Sequence, residues 1–181
     1  MNEPIRVFVD TSVVIHSVAN PNELDDSYEW LKQEIPLIKD IVSLKNKGKL
    51  LPEYELNIMI EIHRRARGKE KEIDELWGDI RPSPTFLDFQ GGMSNPEEVE
   101  EGFTKPMRER KETFKEIFRG VDLDFIHLVH AEFYDAKYFI TTDKKFLNKI
   151  NNNKKGKDTL KVKVLSPSEF LKELNVNLNE E

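Results

Sequence analysis

Residues 5–16 read IRVFVDTSVVIH. Ile5 to Val9 are mostly apolar and β-prone, the pattern of a short central strand buried on both faces. Asp10 ends the run. Thr11 and Ser12 follow, then a second apolar stretch, Val13 to Val18, that starts a helix. A buried strand ending on a carboxylate with two hydroxyls beside it has two readings: a helix cap, or one corner of a site.

A second stretch of the same kind lies near the other end of the chain. KYFITTD (137–143) is again a buried strand followed by hydroxyls and an aspartate. Between the two, Tyr28 to Asn46 has the apolar spacing of one or two helices around Pro36. Leu50 and Leu51 form a short strand closed by Pro52. Tyr54 to Arg67 reads as a buried helix that turns basic at its end. The stretch from about 68 to 120 is the least regular and holds four of the nine prolines: Pro82, Pro84, Pro96 and Pro106. It reads as an inserted region with one or two helices of its own, or a lid, and MRERKETFKEIFRG (107–120) closes it as a charged amphipathic helix. VDLDFIHLVHAEFYDA (121–136) is a helix with Asp122 as its N-cap. After the second strand come a short helix (KKFLNKI), a polar loop (NNNKKGKD), an edge strand (TLKVKVLSP), and a last helix capped by Ser166 or Ser168. Strands separated by helices argue for an α/β fold with a mainly parallel sheet. The expectation is one domain over 1–175, the inserted region included, with a tail at 176–181.

Composition narrows the function classes. The chain has 181 residues, 38% hydrophobic and 34% charged, which suits one globular domain with a charged surface. It has no cysteine, so disulfides, thiolate zinc sites and thiol nucleophiles are excluded. No apolar run is long enough to span a membrane, and no signal-like segment opens the chain. The expectation is a soluble, unexported, cytoplasmic protein. The net charge of −6 removes a whole-molecule basic footprint for nucleic acid. It leaves room for an enzyme that gathers carboxylates around a metal ion and holds phosphates through local basic patches.

In an open parallel sheet, ligands bind outside the carboxyl ends of the strands. Asp10 and Asp143 belong there. Asp124 starts the helix leading into the second strand, and the start of such a helix lies at the same edge. Three crowded carboxylates repel one another unless a cation compensates. Mg²⁺ or Mn²⁺ suits an all-oxygen set, and such a site activates water and neutralises a phosphodiester. Thr11, Ser12, Thr141 and Thr142 are placed to orient the carboxylates. The ordinary structural readings are an N-cap for Asp10 and Asp143 and a first-turn acid for Asp124. All three would have to hold at one sheet edge. The four histidines show no zinc spacing and read as packed or surface residues.

VFVDTSVVI, DFIHLVHA, YFITTDKKF and VKVLSPSEF, in that order, resemble the signature segments of the PIN-domain superfamily. The resemblance covers the first twenty residues and about Val121 to Leu171. It implies a three-layer PIN-like fold and a metal-dependent endoribonuclease, toxin-like or RNA-processing. Asp10, Asp124 and Asp143 would then be the catalytic metal ligands, for Mg²⁺ or Mn²⁺. The family carries a further acid, usually Glu, on the helix after the second strand. Glu61 is preferred for that catalytic role, with Glu55 as its competitor and Asn57 between them. Ser12 and Thr141 would support the ligands from behind. The family's frequent extra acid, two residues after the last aspartate, is replaced by Lys145. Arg64, Arg65, Lys144 and Lys145 are the candidate RNA contacts. Arg108, Arg110 and Lys111 read better as a solvated helix face, because Glu109 and Glu112 alternate with them. The resemblance further implies an RNA substrate, a small antitoxin protein as a partner if the chain is a toxin, and a homodimer. The alternative is a catalytically impaired PIN-fold module that binds RNA or protein. A phosphoacceptor domain with Asp10 as nucleophile ranks low, because the first strand carries a single acid.

Overall fold

The computed structural model describes residues 3–54, 62, 64–66, 68–78, 81–82, 105–118 and 125–179. Five parallel strands make one sheet: β1 (Ile5–Val9), β2 (Leu50–Tyr54), β3 (Arg81–Pro82), β4 (Tyr138–Ile140) and β5 (Lys163–Leu165). Their order is β3-β2-β1-β4-β5, so the expected parallel α/β sheet is present and β5 is an edge strand. β1 sits at the centre, and its Val7, Phe8 and Val9 are all fully buried, as a strand paired on both sides and covered on both faces requires.

Helices connect and follow the strands: α1 (Thr11–His16), α2 (Glu29–Asn46), α3 (Glu70–Trp77), α4 (Lys105–Ile117), α5 (Phe125–Phe133), α6 (Lys144–Asn152), α7 (Lys154–Lys157) and, after β5, α8 (Pro167–Asn179). Successive strand residues point to opposite faces. Tyr138 packs edge-on against Phe170 of α8, with ring centroids 5.2 Å apart. Phe139, its neighbour in sequence, stacks on Phe8 at 5.6 Å and meets Phe146 of α6 at 5.7 Å on the other face. α2 and α8 pack together, as do α4 and α5. The result is three layers, helices on both faces of the sheet.

Several local readings change. The segment around Pro36 is one helix, not two. Leu31, Ile35, Ile38 and Val42 form its buried stripe, and Pro36 stands on the exposed face, where water reaches the carbonyl left without a donor. α2 ends at Gly48, whose positive φ of 68° lets Lys49 N–H reach back to Leu44 C=O at 3.0 Å. β2 runs through Pro52 instead of stopping there. Among the described residues β3 begins beside Glu53, so the described outer side of β2 shows no partner at Pro52 that a missing amide would deprive of a ladder bond. The irregular stretch supplies α3, the short strand β3 and α4. Neither the strand nor its pairing was legible in so proline-rich a segment. Asp122 and most of Tyr54 to Arg67 lie outside the described residues; Ile62, Arg64 and Arg65 are helical.

The expected polar loop at 151–158 is mostly helix: α6 runs to Asn152 and α7 follows. Asn153 joins them. Its side chain accepts from Gly156 N–H at 2.8 Å and donates to Ile117 C=O at 2.9 Å. Gly156 lies flat against Phe118; a Cβ there would come within 2.6 Å of the ring. Ser166 is the cap of α8. Its hydroxyl receives Glu169 N–H (3.3 Å) while Glu169 receives Ser166 N–H (2.9 Å), a reciprocal capping box with Pro167 at the first helical position. Ser168 instead binds the buried carboxylate of Glu34 on α2, through its amide at 2.8 Å and hydroxyl at 2.6 Å. Arg110 is not on a solvated face. It grips the buried Glu132 through two nitrogens, at 2.7 and 3.0 Å, and donates to Thr159 C=O.

Candidate functional site

The strand order reverses between β1 and β4: β2 and β3 lie on one side of β1, β4 and β5 on the other. The crevice at the carboxyl ends of two such strands is where open α/β sheets place ligands. Asp10 follows β1 directly, and Thr141 to Asp143 follow β4. Asp10 N–H donates to Ile140 C=O at 3.0 Å, which ties the two strand ends together.

Asp10 starts α1 with its backbone alone. It has extended φ and ψ of −69° and 150°, and its carbonyl accepts from Val13 N–H at 3.0 Å. Its side chain makes no capping bond. The carboxylate turns toward β4: Oδ2 accepts from Ser12 Oγ at 2.5 Å and from Thr141 Oγ1 at 2.7 Å. Each hydroxyl has one proton, and both protons go to the same oxygen. The hydroxyl oxygens then serve as acceptors, Ser12 Oγ from Thr142 N–H (3.1 Å) and Thr141 Oγ1 from Asp143 N–H (3.0 Å). Ser12, Thr141 and the two amides thus form a closed set that fixes Oδ2. Oδ1 of Asp10 has no hydrogen bond among the described residues.

Asp143 is oriented differently. Its Oδ1 caps α6, accepting from Lys145 N–H at 2.8 Å and Phe146 N–H at 3.0 Å. Its other oxygen is without a hydrogen bond among the described residues. The cap reading therefore holds for the Asp143 side chain and fails for that of Asp10. Two carboxylates at the switch point are each held by one oxygen, with the second left over.

His16, in the last turn of α1, shares a 2.7 Å hydrogen bond between its Nδ1 and Thr142 Oγ1. Burial pushes its pKa below the ordinary 6.5; the Asp10 carboxylate opposes that shift and Arg65 adds to it. Asp10, His16, Thr142 and Arg65 are therefore electrostatic neighbours at one mouth. The sequence carried no signal for His16, because the contact joins residues 126 positions apart. Thr11 is buried under the same strand end.

Of the other predicted residues, Arg64 and Arg65 are exposed. Lys144 and Lys145 are exposed in the first turn of α6, Lys144 with its ammonium 5.6 Å from the centre of the Trp30 ring. Glu55, Glu61 and Asp124 lie outside the described residues; α5 begins at Phe125, the next residue after Asp124. Among the described residues no group of three or more histidines and acids is placed to hold a metal ion. No described helix is long and apolar enough to cross a membrane. Set against known proteins, the chain matches no family model, no curated protein and no solved structure.

Proposed function

We propose that this chain is a PIN-like, divalent-metal-dependent endoribonuclease. The observation that carries the reading is the pair of half-engaged carboxylates at the switch point. Asp10 Oδ2 is locked by two hydroxyls and Asp143 Oδ1 by two amides, and each acid keeps an oxygen without a hydrogen bond among the described residues. Anionic oxygens left over at two neighbouring strand ends suit a hard, oxygen-seeking cation such as Mg²⁺ or Mn²⁺. Asp10 and Asp143 would hold it, with Asp124 as third ligand and Glu61 or Glu55 completing the set. When bound, the ion supplies charge neutralisation and a water of lowered pKa.

The chain's own residues do the rest. Ser12 and Thr141 hold Asp10 in one rotamer, so no reorganisation is needed as charge develops. Arg64, Arg65, Lys144 and Lys145 hold phosphates beside the crevice. By analogy with two-metal nucleases, hydrolysis would leave a 5′-phosphate and a 3′-hydroxyl. A toxin role would add a small antitoxin as partner; an RNA-processing role would not. A homodimer accords with either.

Asp10→Asn is expected to abolish Mn²⁺-dependent cleavage of RNA while the melting temperature stays close to that of the unaltered chain. Full retained activity overturns the reading. The exposed Lys145, where the family often has an acid, favours as second reading a module without a metal site. Calorimetric titration with Mn²⁺ separates the two, because such a module takes up none.

A further inference from the structure

Residues 144–163 contain eight lysines and one acid, Asp158, a local charge of +7 in a chain whose total is −6. All eight lysines are exposed. Elsewhere on the described surface cations are commonly neutralised: Lys32 by Asp26, Lys69 by Glu72, Lys71 by Glu75, Lys115 by Glu112. Within the tract Lys163 is paired, with Glu173. Lys145, Lys149, Lys154 and Lys155 form no ion pair among the described residues.

The fold arranges this charge along a line. α6 buries Phe146, Leu147 and Ile150 and turns Lys145, Asn148, Lys149 and Asn152 outward. Its first turn is capped by Asp143, so the line begins at the crevice. Its last turn leads through Asn153 into α7, which carries the exposed Lys154 and Lys155. A nine-residue helix is about 13 Å long, room for roughly four phosphates at the ~3.4 Å spacing of a stacked strand. The outward residues between the lysines are asparagines. No large apolar side chain is exposed in the tract; among the described residues the exposed ones are Tyr28, Leu51 and Phe133. A protein partner would need an apolar centre to its interface, whereas a phosphodiester chain needs only unneutralised cations and hydrogen-bond donors.

We infer that the outward face of α6 and α7 is a track for the RNA strand running away from the Asp10–Asp143 crevice. The inference deepens the nuclease reading and rests on it for where the track leads.

The test uses an Asp10→Asn chain, which binds without cutting, and a single-stranded RNA oligonucleotide followed by fluorescence anisotropy across a salt series. Should Asp10→Asn misfold, the unaltered chain in EDTA takes its place. Lys149→Gln, Lys154→Gln and Lys155→Gln together are expected to weaken binding about tenfold. They should also flatten the plot of log K against log salt by about 2, because each phosphate neutralised on a single strand adds ~0.7 to that slope. Arginine at the same three positions should restore both. An unchanged slope with an unchanged melting temperature overturns the track, even if the unaltered chain cleaves RNA. A flattened slope in a chain that cleaves nothing upholds the track and removes the nuclease. Unchanged RNA binding with lost binding to a polyglutamate peptide assigns the face to an acidic protein and also overturns the proposal.

Discussion

Thr141 shows how much one hydroxyl carries. It is fully buried, donates to Asp10 Oδ2 at 2.7 Å and accepts Asp143 N–H at 3.0 Å. Thr141→Val keeps the shape and deletes both bonds, leaving the part-buried Asp143 amide without its acceptor, a cost of about 1 kcal/mol. Urea denaturation should show that loss, and Thr141→Ser should recover most of it. Glu53 is the opposite case. It is buried on β2, and its Oε2 has no hydrogen-bond partner among the described residues. Burial raises its pKa above the ordinary 4.5; Arg6 opposes this and Asp135 adds to it. A raised folded pKa means the folded state favours the protonated form. The favourable state is therefore complete below pH 4.5 and lost as pH rises through the folded value. Glu53→Gln should accordingly raise stability at pH 7, and the gain should shrink as pH falls toward 4.5 in thermal melts. Glu53 carried no signal in the sequence, and Thr141 was preferred to its neighbour Thr142 only through the family resemblance; the two are adjacent hydroxyls, and the sheet is what brings Thr141 to Asp10.

Elements here are closed by small, specific contacts. α5 ends in a turn where Asp135 has a positive φ of 54° and Ala136 N–H returns to Ala131 C=O at 3.0 Å, the geometry Gly48 provides for α2. α7 exists because Gly156 lets the chain lie on Phe118. Gly156→Ala forces a Cβ into that ring and should cost about 1–3 kcal/mol, seen as a lowered midpoint in urea with α7 amides exchanging faster with solvent. The sequence NNNKKGKD reads as a loop by composition, and nothing local distinguishes it from one. The partner that makes it helical, Phe118, is 38 positions away from Gly156 in the chain. The capping box at Ser166 was half legible: two serines, either able to cap, with the packing of Ser168 on Glu34 removing the choice.

At the scale of the whole molecule, the five-stranded parallel sheet turns two strand ends into one crevice, and that crevice is the test of metal binding. Saturating Mn²⁺ should raise the melting temperature of the unaltered chain, since a ligand at 100 times its Kd stabilises by about 2.7 kcal/mol. Asp10→Asn should show little of this rise. An equal rise in both chains would remove Asp10 from the metal site.

The class of fold, the central strand and the two strand-end aspartates were all readable along the chain. Those depend on apolar periodicity and on which residues follow it, and both are local. It took the folded chain to make Asp143 cap a helix with its side chain while Asp10 does not, to bring Ser12 and Thr141 onto one carboxylate oxygen, and to carry His16 to Thr142. Each of these is a contact between segments more than a hundred residues apart or a choice between equivalent neighbours. Such choices are settled by the register of β1 against β4, which no single stretch of chain contains.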